Sequence, residues 1–149
     1  MNNSAQFILF LQSSITPVAL ISGVGLLLLT ITNRLARTID RSRKLITLLE
    51  NASNEIKNRL TNELALMYKR SRYLRNSIAS IVISMFLNAL IIPLLFGMSL
   101  YNWDFKELGY VLFFTSIIAI LVGLIYFMLD VLITLKGLKI DVEDFISNH

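Results

Sequence analysis

Residues 15–37 read ITPVALISGVGLLLLTITNRLAR. From Ile15 to Thr32 no side chain is charged, and Asn33-Arg34-Leu35-Ala36-Arg37 then ends the apolar run on two arginines. A helix needs roughly 17–25 apolar residues to cross the hydrocarbon core of a bilayer, so this stretch sits near the lower limit for a span. Phe7-Ile8-Leu9-Phe10-Leu11 lies just upstream. It either lengthens the span past Pro17 or lies in the interface as a short separate helix. Pro17 is tolerated if it falls in the first helical turn, where its missing N–H costs nothing. A cleaved signal peptide would need a basic leader, and no Lys or Arg precedes Arg34, so the stretch reads as a permanent helix.

Two further stretches have the same character, Ile78–Tyr101 and Tyr110–Leu135. Of the 149 residues, 55% are hydrophobic and 16% charged, with mean hydropathy +0.66. A soluble domain carries about 25% charge, and a disordered chain lacks this apolar content, so both are excluded. Cysteine is absent and the single histidine is His149, which removes disulfides, thiolate chemistry and the usual soft metal ligands.

Orientation follows from the basic residues. Eleven of the fourteen Lys and Arg lie between Arg34 and Arg75, opposed only by Asp40, Glu50, Glu55 and Glu63, so that segment is +7. Short basic loops stay cytoplasmic, which predicts the segment 33–76 and the tail 136–149 inside, and the N-terminus and the 101–109 loop outside. Tyr101, Trp103 and Tyr110 fit an outer aromatic belt, and Tyr68 and Tyr73 an inner one.

The basic segment itself has helical spacing. Leu35, Ile39, Ser42, Ile46 and Leu49 form one narrow seam, and Leu60, Leu64, Met67, Ser71, Leu74 and Ile78 another. Asn51-Ala52-Ser53-Asn54 between them is a turn signal, with Ser53 suited to cap the returning helix. The prediction is an all-α chain forming a single membrane domain. Its three transmembrane helices cover about 15–32, 78–101 and 110–135. The first two continue into an antiparallel cytoplasmic helical hairpin, 33–76.

The order ITPVALISGVG (15–25), then Leu26 to Leu29, then Thr32-Asn33-Arg34-Leu35-Ala36-Arg37 and Asp40-Arg41, resembles the DUF2721 family of small bacterial membrane proteins. The plan of one span, a basic helical segment and two more spans is similar over nearly the whole chain. The resemblance implies a multi-pass protein of a bacterial inner membrane. It implies no activity, because the family's function is undefined.

The residues that carry chemistry are few. Asp130 falls about five residues before the end of the third span, and an ionisable group at that depth is costly unless paired. It either pairs with Arg34, Arg37 or Arg75, or acts as an ion- or proton-binding carboxylate at an inner mouth formed with Asn33, Arg34 and Arg37. Ser77, Ser80, Ser84 and Asn88 form one polar stripe along the second span. Ser80, Ser84 and Asn88 are candidate pore-facing residues, with interhelical hydrogen bonding the preferred reading for the serines. Pro93 frees the carbonyl of Ala89 and marks a candidate kink. Ala19, Gly23 and Gly25 form a candidate close-packing face.

No phosphate loop, HExxH, GxSxG or dinucleotide fingerprint occurs, so neither an enzymatic activity nor a cofactor or metal is expected. Basic charge tethered at a membrane points to anionic lipid headgroups and not to nucleic acid. The leading functional expectation is a homo-oligomeric, ion-conducting or ion-regulated assembly. The alternative is a non-transporting scaffold or regulatory subunit whose basic hairpin binds a protein partner or anionic lipid.

Overall fold

A computed structural model describes residues 3–50, 52–101 and 105–147. Asn51 of the expected turn, Trp103 of the outer belt and the terminal His149 lie outside the described residues. Three helices account for the fold: α1 (Asn3–Glu50), α2 (Asn54–Tyr101) and α3 (Lys106–Ser147). There is no strand among the described residues.

With 48, 48 and 42 residues the helices run about 72, 72 and 63 Å at 1.5 Å per residue. Each therefore exceeds the roughly 30 Å hydrocarbon thickness. All three hold a stretch long and apolar enough to cross a membrane. The boundaries have local causes. The Lys57 N–H donates to the Ser53 carbonyl (2.9 Å), making Ser53 the first half-helical residue of α2. The Gly109 N–H donates to the Phe105 carbonyl (3.1 Å), and Glu107 places an acid in the first turn of α3, where the helix dipole favours it.

α1 begins at Asn3, so the apolar residues 7–11 extend the first helix and are not a separate one. Pro17 consequently lies well inside α1, the first of the two arrangements the sequence left open. It is buried, and its ring deprives the Ser13 carbonyl of its helical donor. α2 likewise continues through Pro93, which is exposed.

Burial follows a seven-residue spacing on every helix, the spacing of knobs-into-holes packing. On α1 the buried positions are Pro17, Val24, Ile31, Thr38 and Leu45. On α2 they are Met67, Leu74, Ile81 and Asn88, interleaved with Ser77, Ser84 and Ile91, with Gly97 buried outside both series. On α3 they are Ser116, Gly123 and Asp130, with Gly109 and Gly137 half-buried at either end of the same series.

This register corrects one expectation. Ile39 and Ile46 are 38% and 48% exposed, and the seam on α1 runs one residue earlier through Thr38 and Leu45. Thr38 can sit inside because its hydroxyl donates to the Arg34 carbonyl (3.0 Å). Of the small residues on α1, Ala19 and Gly23 are exposed, and a Cβ on Gly23 would meet nothing within 4 Å. Only Gly25 faces a neighbour, with the Met85 methyl 4.0 Å from such a Cβ.

The described residues group into two compact units, Met1–Leu29 with Ala79–Gly123, and Thr30–Ile78 with Leu124–His149. Both invert the arrangement of a soluble protein. Thr38, Ser77, Ser84, Asn88, Ser116 and Asp130 are buried, while Leu26, Phe86, Val111 and Ile125 are 60–70% exposed. Exposed apolar surface on this scale is stable only against another apolar medium. The fold is that of a multi-pass membrane protein.

Candidate functional site

The ionic centre of the chain lies in the unit that contains the C-terminal part of α3. Asp130 is the one large polar residue in an inward series of Gly and Ser, and its side chain is fully buried. The Thr134 hydroxyl donates to the Asp130 backbone carbonyl (2.8 Å), so the carboxylate is left to side chains from other helices. Arg34 of α1 lies three residues after Ile31 and four before Thr38, on the buried side. Its Nη2 donates to Asp130 Oδ2 at 2.9 Å. Arg70 of α2 lies three residues after Met67 and four before Leu74. Its Nε donates to Asp130 Oδ1 at 3.1 Å. Each carboxylate oxygen thus has its own guanidinium, and the pairing ties all three helices within this unit.

Apolar groups brace the two arginines. The Arg34 guanidinium carbon stands 5.3 Å from the Phe127 ring centroid, in cation–π range. Arg70 Nη1 points at the Met67 sulfur (3.7 Å). Tyr73 and Tyr126 stack at a tilt, centroids 6.3 Å apart. Further along α1, Arg41 turns both Nε (3.0 Å) and Nη2 onto one oxygen of Glu63. Residues 41 and 63 lie equally far from the 51–53 connection, so α1 and α2 pair on either side of it.

An open cleft of about 300 Å³ is lined by Arg34, Arg37, Thr38, Arg41, Met67 and Arg70. Four guanidiniums face it. Among the described residues their carboxylate partners are Asp130 and Glu63, two negative charges against four positive ones. Arg37 is exposed and makes no hydrogen bond or ion pair with any described residue. Asp40 lies on the neighbouring depression, with Arg37, Arg41 and Lys44.

Of the residues expected at an inner mouth, the structure brings together Arg34 and Asp130. Arg37 lines the same cleft without touching the carboxylate, and Asn33 is exposed. Arg75, another expected partner of Asp130, is exposed, and Arg70 takes the place foreseen for it. The signal for Arg70 was present: it precedes Ser77, Ser84 and Ile91 at seven-residue intervals.

The polar stripe of α2 sits differently. In the other unit Ser84 and Asn88 are fully buried, and Ser80 is half-buried. Asn88 Nδ2 donates to the Ser84 carbonyl (3.1 Å) on its own helix. Ser84 Oγ and Asn88 Oδ1 have no hydrogen-bond partner among the described residues. Asn88 also borders a cavity of about 420 Å³ whose other walls are chiefly apolar, among them Pro17, Leu20, Leu94, Met98 and Phe113. Ser116, which the sequence reading passed over, is buried on α3 and bonds back to the Phe113 carbonyl (2.8 Å). No cluster of three or more His, Cys, Asp or Glu that could hold a metal occurs among the described residues.

No curated protein and no solved structure matches the chain. Residues 14–140 match the family described as "Protein of unknown function (DUF2721)", and with most of its length covered the chain belongs to that family.

Proposed function

We propose that the protein is a non-conducting membrane scaffold or regulatory subunit whose basic helical pair engages anionic lipid headgroups. In this reading the segment 33–76 projects from the cytoplasmic face of a bacterial inner membrane. The N-terminus and the 101–109 connection lie on the opposite side. The spans anchor the arginine-rich segment and hold it against the headgroup layer, where each basic residue contributes about 1 kcal/mol of attraction. Any homo-oligomer forms through the exposed apolar faces and encloses no hydrated path.

The observation that carries the proposal is the burial of the polar side chains within one chain. Ser84 and Asn88 are at most 1% exposed without any second copy present. A pore lined by Ser80, Ser84 and Asn88 would need those groups to face a shared aqueous axis. Asp130 is likewise closed off by two arginines instead of being open to an ion. The exposed charge of the helical pair is predominantly positive, with Arg37, Arg43, Lys44, Arg59, Lys69, Arg72 and Arg75 among its exposed bases against exposed Asp40 and Glu50.

Reconstitution into liposomes tests the reading. The expected result is no flux of K⁺, Na⁺, H⁺ or Cl⁻ above empty vesicles at any pH or voltage, together with retention of anionic lipid through purification. Flux that Asn88→Leu abolishes would overturn it.

A further inference from the structure

We infer that the cleft between α1 and α2 is a specific phosphate-binding site, formed by Arg34, Arg37, Arg41 and Arg70. The inference deepens the proposed function, resting on it only for the suggestion that lipid is the source of the phosphate. Three observations carry it. First, four guanidiniums share one cleft, from i, i+3 and i+7 of α1 and from the facing turn of α2. Arginine presents five N–H donors in a planar fork that matches phosphate oxygens. Arg34 and Arg70 each spend one nitrogen on Asp130, and Arg37 spends none on any described residue.

Second, the charge does not close. Among the described residues, Asp130 and Glu63 are the carboxylates that contact these four arginines, so within that set an excess of two positive charges remains around a partly desolvated cleft. Arg70 is only 16% exposed and Arg34 32%, so water compensates them incompletely. A bound dianion would complete the balance. The other charged groups beside the cleft are Asp40 and Lys44, and they cancel.

Third, the cleft is already built. Asp130 holds Arg34 and Arg70 in place, so little side-chain entropy is lost on binding. At roughly 30 Å³ per water, a cleft of about 300 Å³ has room for a phosphate with its ester-linked neighbours. Glu63 engages the fourth arginine through both Nε and Nη2, and the incoming phosphate competes for that fork.

The test uses the full chain in non-ionic detergent, titrated separately with short-chain phosphatidic acid, short-chain phosphatidylcholine and inorganic phosphate. Bound species are counted by native mass spectrometry. Arg37→Gln is the probe, because this residue is exposed and makes no hydrogen bond or ion pair with any described residue. Arg43→Gln and Arg72→Gln remove the same charge outside the cleft. Phosphatidic acid should bind at one site at least tenfold more tightly than phosphatidylcholine. Arg37→Gln should weaken it about tenfold, the effect of one charge-assisted bond, and the two controls less than twofold. Equal weakening by all three variants would overturn the cleft site while leaving diffuse lipid attraction standing. Binding of inorganic phosphate with the same Arg37 dependence, but none of phosphatidic acid, would keep the site and overturn lipid as its source. Absence of binding by both would overturn the inference and the lipid reading together.

Discussion

Replacing Asp130 with alanine should destabilise the protein by about 3–4 kcal/mol, and the figure can be worked from the contacts. Asp130 accepts one charge-assisted hydrogen bond from Arg34 and one from Arg70. Such bonds contribute about 1.5–3 kcal/mol each when desolvated. The Arg34 side chain is 32% exposed, so its freed guanidinium recovers water and its share falls to about 1 kcal/mol. Arg70 is 16% exposed and keeps a share of about 2–3 kcal/mol. The sum agrees with the roughly 3–5 kcal/mol typical of orphaning a buried charge, and corresponds to about a 10²- to 10³-fold change in the unfolding constant. Reversible unfolding by dodecyl sulfate in mixed micelles, followed by the helical circular dichroism signal, measures it. Arg70→Gln should cost more than Arg34→Gln, and both less than Asp130→Ala. Replacing all three charged residues with Leu or Met should recover most of the loss, because an apolar core has no charge to desolvate. An Asp130→Ala midpoint equal to wild type, or an Arg34 cost above that of Arg70, would refute the reasoning.

Other sites should respond in ways the packing dictates. Asn88→Leu should be neutral or mildly stabilising by thermal shift, since Asn88 Oδ1 is unpaired and membrane hydrogen bonds average only about 0.6 kcal/mol. Ser84→Ala should likewise lie within about 0.5 kcal/mol of wild type by the same assay, its hydroxyl having no partner to lose. Gly123→Leu should cost about 1–3 kcal/mol in the mixed-micelle titration, because it forces a large side chain into the inward series of α3, whereas Gly23→Leu should be tolerated. Glu63→Gln, which breaks a largely exposed pair, should cost less than about 1 kcal/mol and less still at high salt.

The helices themselves were legible from length, hydropathy and the break at 51–54. So was the need of Asp130 for a basic partner. The rotation of α1 was not. Its sequence offers two seams one residue apart; Leu35, Ser42 and Leu49 of the expected one are half-buried, but the choice of Ile39 and Ile46 assumed that those apolar side chains also turn inward. The ion pair decides otherwise. Once Arg34 turns toward Asp130, Ile31, Thr38 and Leu45 turn in with it, at −3, +4 and +11. Arg70 was hidden for a related reason. Its neighbour Ser71 continued the apolar spacing of α2, and an arginine was not sought in a seam. Against lipid, apolar side chains need no shelter, and in this chain the polar ones occupy the interior.

Because the chain contains no cysteine, single introduced thiols report accessibility without background. Labelling Asn88→Cys, Ser84→Cys and Arg43→Cys with a membrane-impermeant maleimide, in right-side-out and inverted vesicles, tests the central claim most directly. The account predicts that Arg43→Cys reacts only in inverted vesicles, while Asn88→Cys and Ser84→Cys react in neither. Reaction at Asn88→Cys from either side would reveal a hydrated path through the spans and contradict it.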